Sequence, residues 1–150
     1  MSKKTTLLFC FILAEISACF AQHQTGFYLV VESKNNCTHW VKSFDRKNNF
    51  CITEKPIIGE TEFESVSGIQ YDQAKQTKLV NLKLTKNGFT TIKTISKLPN
   101  CKLLFVVADR GVGIFNGFDQ RVGQTIPISG SLISMEIDWI VEKLTPLNKK

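Results

Sequence analysis

Cys37, His39 and Cys51 are the residues of this chain best placed to do chemistry. Two thiols and an imidazole could hold a zinc ion, but a structural zinc site needs a fourth ligand at suitable spacing. The only other histidine, His23, reads as part of an amino-terminal tail. The competing reading is a disulfide. Cys37 and Cys51 enclose the polar stretch THWVKSFDRKNNF between two strand-like segments, so a bridge closes a local loop. Such a loop contributes about 3 kcal/mol in the chain-entropy model. In an oxidising compartment a disulfide is the default for paired cysteines. Cys101 then remains odd, and reads as a small buried residue at a strand entrance rather than a nucleophile.

A search for catalytic groups yields little. No serine lies in a Gly-x-Ser-x-Gly setting. Gly111 and Gly113 fall in a hairpin, whereas a phosphate-cradling loop needs a helix directly after it. Glu60, Glu62 and Glu64 alternate as a solvated face does, and Asp109 with Arg110 reads as a polar hairpin tip. We therefore expect no catalytic residue, no cofactor and no metal. The formal net charge is +6, but the cations are scattered. No run of five or six like charges and no aromatic-interleaved basic patch suggests nucleic acid as a partner. Phe115, Gly117 and Phe118 are more suggestive. If exposed near a sheet edge, they offer apolar contacts beside unpaired backbone, where an extended polypeptide could add a strand. The alternative is that Phe115 and Phe118 fill the core.

The start of the chain says where these residues would operate. Lys3 and Lys4, an apolar run from Leu7 to Ala14, and small residues from Ala18 to Ala21 have the layout of a secretory signal peptide. That run is shorter than the roughly 20 apolar residues that span a bilayer. Cleavage after Ala21 leaves a mature chain from Gln22 with no transmembrane segment. A second reading takes Ile16, Ser17, Ala18 and Cys19 as a lipoprotein box with lipid on Cys19; Glu15 is an unusual neighbour for one. The protein is expected to be periplasmic or secreted, or membrane-anchored if lipidated. Residues 22–150 suffice for one core and not for two ordinary domains.

The remaining sequence predicts the elements. GFYLVVE, from Gly26 to Glu32, reads as an internal strand, and FCITE as a short return strand. Pro56 and Gly59 punctuate the next segment, ahead of one short helical turn and a strand. Leu79 to Thr85 alternates as a half-buried strand does. A helix follows with Phe89, Ile92, Ile95 and Leu98 on one face, stopped by Pro99. Leu103 to Ala108 is a continuous apolar run, as in a central strand covered on both faces. Asp109, Arg110 and Gly111 form the expected turn into a returning strand. Thr125 to Ser131 reads as the last strand, and a final helix buries Ile133, Ile137, Ile140, Val141 and Leu144, with Ser131 or Ser134 as its cap. Only LNKK at the end looks like a tail.

Four phrases, in this order, carry a resemblance: EKPIIGETEFESV, LVNLKLTKNGFTTIKTI, KLLFVVADRGVGIFNGFD and TIPISGSLISMEIDWIVEKL. Together they resemble the head subdomain of the first periplasmic domain of SecD and SecDF, membrane proteins that help preproteins leave the Sec channel. The strongest points are LTKNGF at 84–89 and Ile-Ser-Gly at 128–130. The chain departs from the family at Arg110, at Asn116 to Phe118, and at Ile133, where a threonine is customary. The resemblance implies an α+β fold, a mostly antiparallel sheet with two helices packed on one face. Residues 1–21 are then the signal peptide and 22–55 the amino-terminal strands with the disulfide-closed loop. Residues 56–146 are the head-like part of the same domain. It also implies a non-enzymatic binding module whose partner is an exported polypeptide. The alternative is a small structural or interaction protein docking to one folded envelope protein.

Overall fold

The computed structural model describes residues 23–32, 37–74, 76–116, 123–128 and 134–149. Cys19, Gly117, Phe118, Ser131 and Ile133 lie outside them. The strands are β1 (Gly26–Leu29), β2 (Trp40–Ser43), β3 (Asn49–Cys51), β4 (Ile58–Gly59), β5 (Phe63–Val66), β6 (Gln70–Asp72), β7 (Thr77–Leu84), β8 (Leu103–Val107), β9 (Arg110–Phe115) and β10 (Thr125–Ile128). The helices are α1 (Lys86–Ile95) and α2 (Ser134–Leu144), with 3₁₀ turns at Glu60–Glu62 and Thr145–Lys149. The fold is α+β and mostly antiparallel, and among the described strand pairs only β2 and β9 run parallel.

The strands form two sheets, where the sequence suggested one. The first has the order β3-β2-β9-β8-β1-β4, the second β10-β7-β5 with β6 beside β7. A further bridge, Val30 to Ile52, joins the chain just after β1 to the chain just after β3. Ile52 N–H also donates to His39 C=O, and Val31 N–H to Cys51 C=O. The first sheet therefore curls until its ends meet, a small barrel in the sequence β1-β8-β9-β2-β3. This explains why every residue of β8 is buried. Leu104 and Val106 point into the barrel, where they meet Tyr28, Val41 and Ile52. Leu103, Phe105 and Val107 point outward into the main core.

That main core is shared by both sheets and both helices. Phe27 stacks on Phe105 with ring centroids 4.6 Å apart, and Phe63 and Phe115 meet Phe27 edge-on. Val80, Leu82 and Leu84 of β7 come from the opposite side, with Ile137, Ile140 and Leu144 of α2. All six are fully buried, so truncating any one to alanine removes about 2–5 kcal/mol.

The LTKNGF phrase has a local physical meaning. Thr85 is the N-cap of α1, its hydroxyl accepting from Gly88 N–H at 3.2 Å. Its own N–H donates to Glu62 C=O, tying the helix start to the 3₁₀ turn. A Cβ at Gly88 would stand 2.9 Å from Glu62 Cβ and 3.1 Å from Glu62 C=O, so only glycine permits this approach. Helix α1 ends at Ile95, earlier than its apolar spacing suggested. Leu98 consequently leaves the helical face and is 56% exposed.

Two other expectations are corrected. The β8–β9 hairpin turns on Ala108 and Asp109, not on Asp109 to Gly111, because Val107 already pairs with Arg110. Both turn residues have positive φ, 42° and 62°, as a two-residue type I′ turn requires. The carboxyl-terminal segment read as a tail is held in place at Asn148. Asn148 accepts from Val66 N–H at 2.7 Å and donates to Val66 C=O at 3.0 Å, capping the outer edge of β5 as a strand would.

Candidate functional site

The mouth of the barrel and the outer edge of β9 are the two places where this fold could do work. The mouth holds a cavity of about 500 Å³ lined by His23, Tyr28, His39, Glu54, Ile57 and Glu62, among others. His23, read from sequence as part of a tail, is fixed here. Both its backbone N–H and its ring Nδ1 engage Asp109 Oδ1, the ring at 3.0 Å. Its ring also meets Tyr28 and His39 edge-on. Tyr28 donates its hydroxyl to Gln24 C=O at 2.8 Å. Burial, reinforced by the nearby Asp109 carboxylate, pushes its phenol up to about 12. Sequence reasoning missed this grouping because its members come from chain segments far apart, and only the long-range pairing of β1 with β8 assembles them.

Cys37 and Cys51 are joined in a disulfide, which ties the strand entrance beside His39 to β3. Among the described residues, no group of three or more histidine, cysteine or acidic side chains could hold a metal ion. Cys101 is a free, half-buried thiol whose pKa is raised by burial, the opposite of what a nucleophile needs. Two of the three alternating glutamates do separate jobs. Glu62 accepts from Gly59 N–H at 2.8 Å, and Glu64 pairs with Lys83 at 2.6 Å.

The edges are the more informative feature. In β10, Ile126 and Ile128 occupy hydrogen-bonded positions against β7, as the Leu84 N–H to Gln124 C=O bond fixes the parity. Pro127 thus presents its missing N–H to the outer edge, which blocks the docking of another strand there. Asn148 blocks β5 in the same way. Sheet closure removes the edges of β1 and β3. Strand β6 is only three residues long. Strand β9 differs, because β2 accompanies it only at Arg110 and Gly111, with Phe44 N–H donating last to Gly111 C=O. Beyond Gly111, among the described residues, Val112 to Ile114 have only β8 as a strand neighbour. Ile114 is 44% exposed there. Phe115, expected at this surface, is half-buried, its ring 5.6 Å from that of Phe27.

The same arrangement of strands and helices occurs in solved structures. A crystal structure of SecDF in its super-membrane-facing form matches with a TM-score of 0.58, covering 82% of this chain and 18% of that one at 15% identity. A second structure, of SecDF as a membrane component that enhances protein export, matches at 0.59, covering 91% of this chain and 67% of that one at 14% identity. The fold is SecDF-like. No family model matches the chain, and no curated protein matches its sequence. This SecDF-like chain spans about a fifth of the first of those proteins. No helix among the described residues is long and apolar enough to cross a membrane.

Proposed function

We propose that this protein is a non-enzymatic, exported binding module that contacts extended polypeptides during or after their export. The observation that carries the reading is the contrast between edges. Pro127 and Asn148 guard two strands, closure removes others, and among the described residues β9 is left without a second strand neighbour at Gly113 and Ile114, where Ile114 is exposed. An extended chain added there would gain main-chain hydrogen bonds independent of its sequence and side-chain contacts from Ile114. Gly117 and Phe118, outside the described residues, belong to the same proposed contact, with Phe115 beside it half-buried against the core. SecDF is itself described as enhancing protein export, which supports exported chains as the partner and the periplasm as the place. The disulfide suits that compartment.

The test is in-cell crosslinking with a photoreactive residue at Ile114 and, separately, at Phe118. Many different exported chains trapped at Ile114 would support the proposal. A single folded envelope protein at fixed stoichiometry would replace it with docking to one partner, and no adduct at either position would end it.

A further inference from the structure

The outer face of β2 carries a strip of side chains that the polypeptide reading does not use. Trp40 and Lys42 share that face, since exposure alternates along the strand. Trp40 is 45% exposed. The parallel register sets Lys42 directly beside Arg110 of β9, and Arg46 follows in the β2–β3 turn with φ 61°. Two cations side by side in a register pair repel each other unless something anionic sits between them. Among the described residues, no carboxylate pairs with Lys42, Arg46 or Arg110. The acidic neighbours in sequence are already engaged. Asp45 binds the Ser43 hydroxyl and Lys47, and Asp109 binds His23. The barrel-mouth cavity includes none of the strip.

We infer that this strip rests on the surface of an anionic lipid bilayer, Trp40 at the level of the headgroups and the three cations against lipid phosphates. Indole suits that position because its body is apolar and its N–H can remain hydrated. A basic side chain near an anionic bilayer strengthens partitioning by about fivefold, so the three together supply about a hundredfold, falling as salt screens the attraction. An edge-on orientation follows. Because β2 leaves β9 at Gly111, a protein seated through Trp40 and Lys42 would hold the Val112 to Ile114 backbone close to the membrane surface.

The test uses vesicles of phosphatidylcholine with and without one quarter phosphatidylglycerol, added to the purified protein in a Trp139→Phe background so that Trp40 alone reports. The expected result is a blue shift of Trp40 emission and co-flotation with the anionic vesicles only, both abolished by about 0.5 M salt, which screens the attraction. Lys42→Gln with Arg110→Gln should weaken partitioning about 25-fold, with circular dichroism confirming the fold. Binding that is unchanged in this double variant, or equal on neutral vesicles, overturns the inference, because an apolar leader alone would behave that way. Loss of vesicle binding with retained binding to a polyglutamate chain would overturn it in favour of an acidic protein partner. Crosslinks at Ile114 are read separately, so either proposal can fail alone.

Discussion

Replacing Ala108 with glycine should stabilise this protein, although the same change in a strand or helix usually costs stability. Ala108 and Asp109 form the two-residue turn between β8 and β9, with φ of 42° and 62°. An L-residue with a Cβ pays roughly 1–2 kcal/mol to sit in the left-handed region, and glycine pays nothing. Against this, glycine makes the unfolded chain more flexible by roughly 0.4–1 kcal/mol. The difference leaves a net gain of about 0.5–1 kcal/mol. Asp109 is kept because its carboxylate holds His23. In urea, with a slope of about 2 kcal/mol/M, the midpoint should rise by about 0.3–0.5 M at unchanged slope. Ala108→Val is the control, and should lower stability by at least about 1 kcal/mol because a β-branched side chain fits this region worst. A fall in midpoint for Ala108→Gly would refute the reasoning, showing either that the turn is not left-handed at both residues or that its strain is relieved elsewhere.

Three further outcomes follow from the fold. Cys37→Ser with Cys51→Ser opens a loop whose ends are 14 residues apart and should cost about 3 kcal/mol by chemical denaturation, with reduced wild-type protein matching the variant. Gly26→Ala places a Cβ 2.4 Å from Ile58 C=O and 2.8 Å from Pro56 Cβ. It should cost at least about 2 kcal/mol in thermal or urea unfolding, because β1 and β4 must separate. Tyr28 has its pKa raised from 10.0 to about 12, so the fold favours the neutral phenol. Its effect on stability is absent below pH 10. Between about pH 10 and 12 the unfolded chain releases its proton first, and stability falls by about 2–3 kcal/mol. Unfolding measured against pH should show this decline in the wild type, and a flatter profile for Tyr28→Phe in that window.

What the sequence made legible were features determined within a few residues. The all-apolar run of β8, the alternation of β7 and the local Cys37–Cys51 loop each have a signal of that kind. The misreadings share a cause as well. Asp-Arg-Gly looks like a turn and Ala-Asp does not, so only the β8–β9 register shows which pair bends. Leu98 continues the helical spacing, but the chain has already left the helix at Ser96. Sheet closure through Val30 and Ile52 is invisible locally, since neither residue differs from any other apolar strand residue. His23 joins Asp109 for the same reason, through pairing across most of the chain. The sequence points to the candidate binding edge only through Phe115, Gly117 and Phe118; that β9 lacks a second strand neighbour beyond Gly111 among the described residues becomes visible once the strands are placed.

The closure of the first sheet also constrains the order in which this chain can fold. Strand β1 borders β8, with Gly26 opposite Val106, and β2 borders β9, with Lys42 opposite Arg110. A chain released amino terminus first therefore presents β1 to β3 long before the hairpin they need has emerged. During that interval the one covalent link available to it is the short Cys37–Cys51 loop, which needs no distant partner. Non-local strand pairing of this kind is slow and leaves apolar strands uncovered while it waits. The β8–β9 hairpin, local and turned by two residues, can form as soon as it appears. It then serves as the template on which the earlier strands close, so variants that weaken its turn should slow refolding more than their equilibrium cost alone suggests.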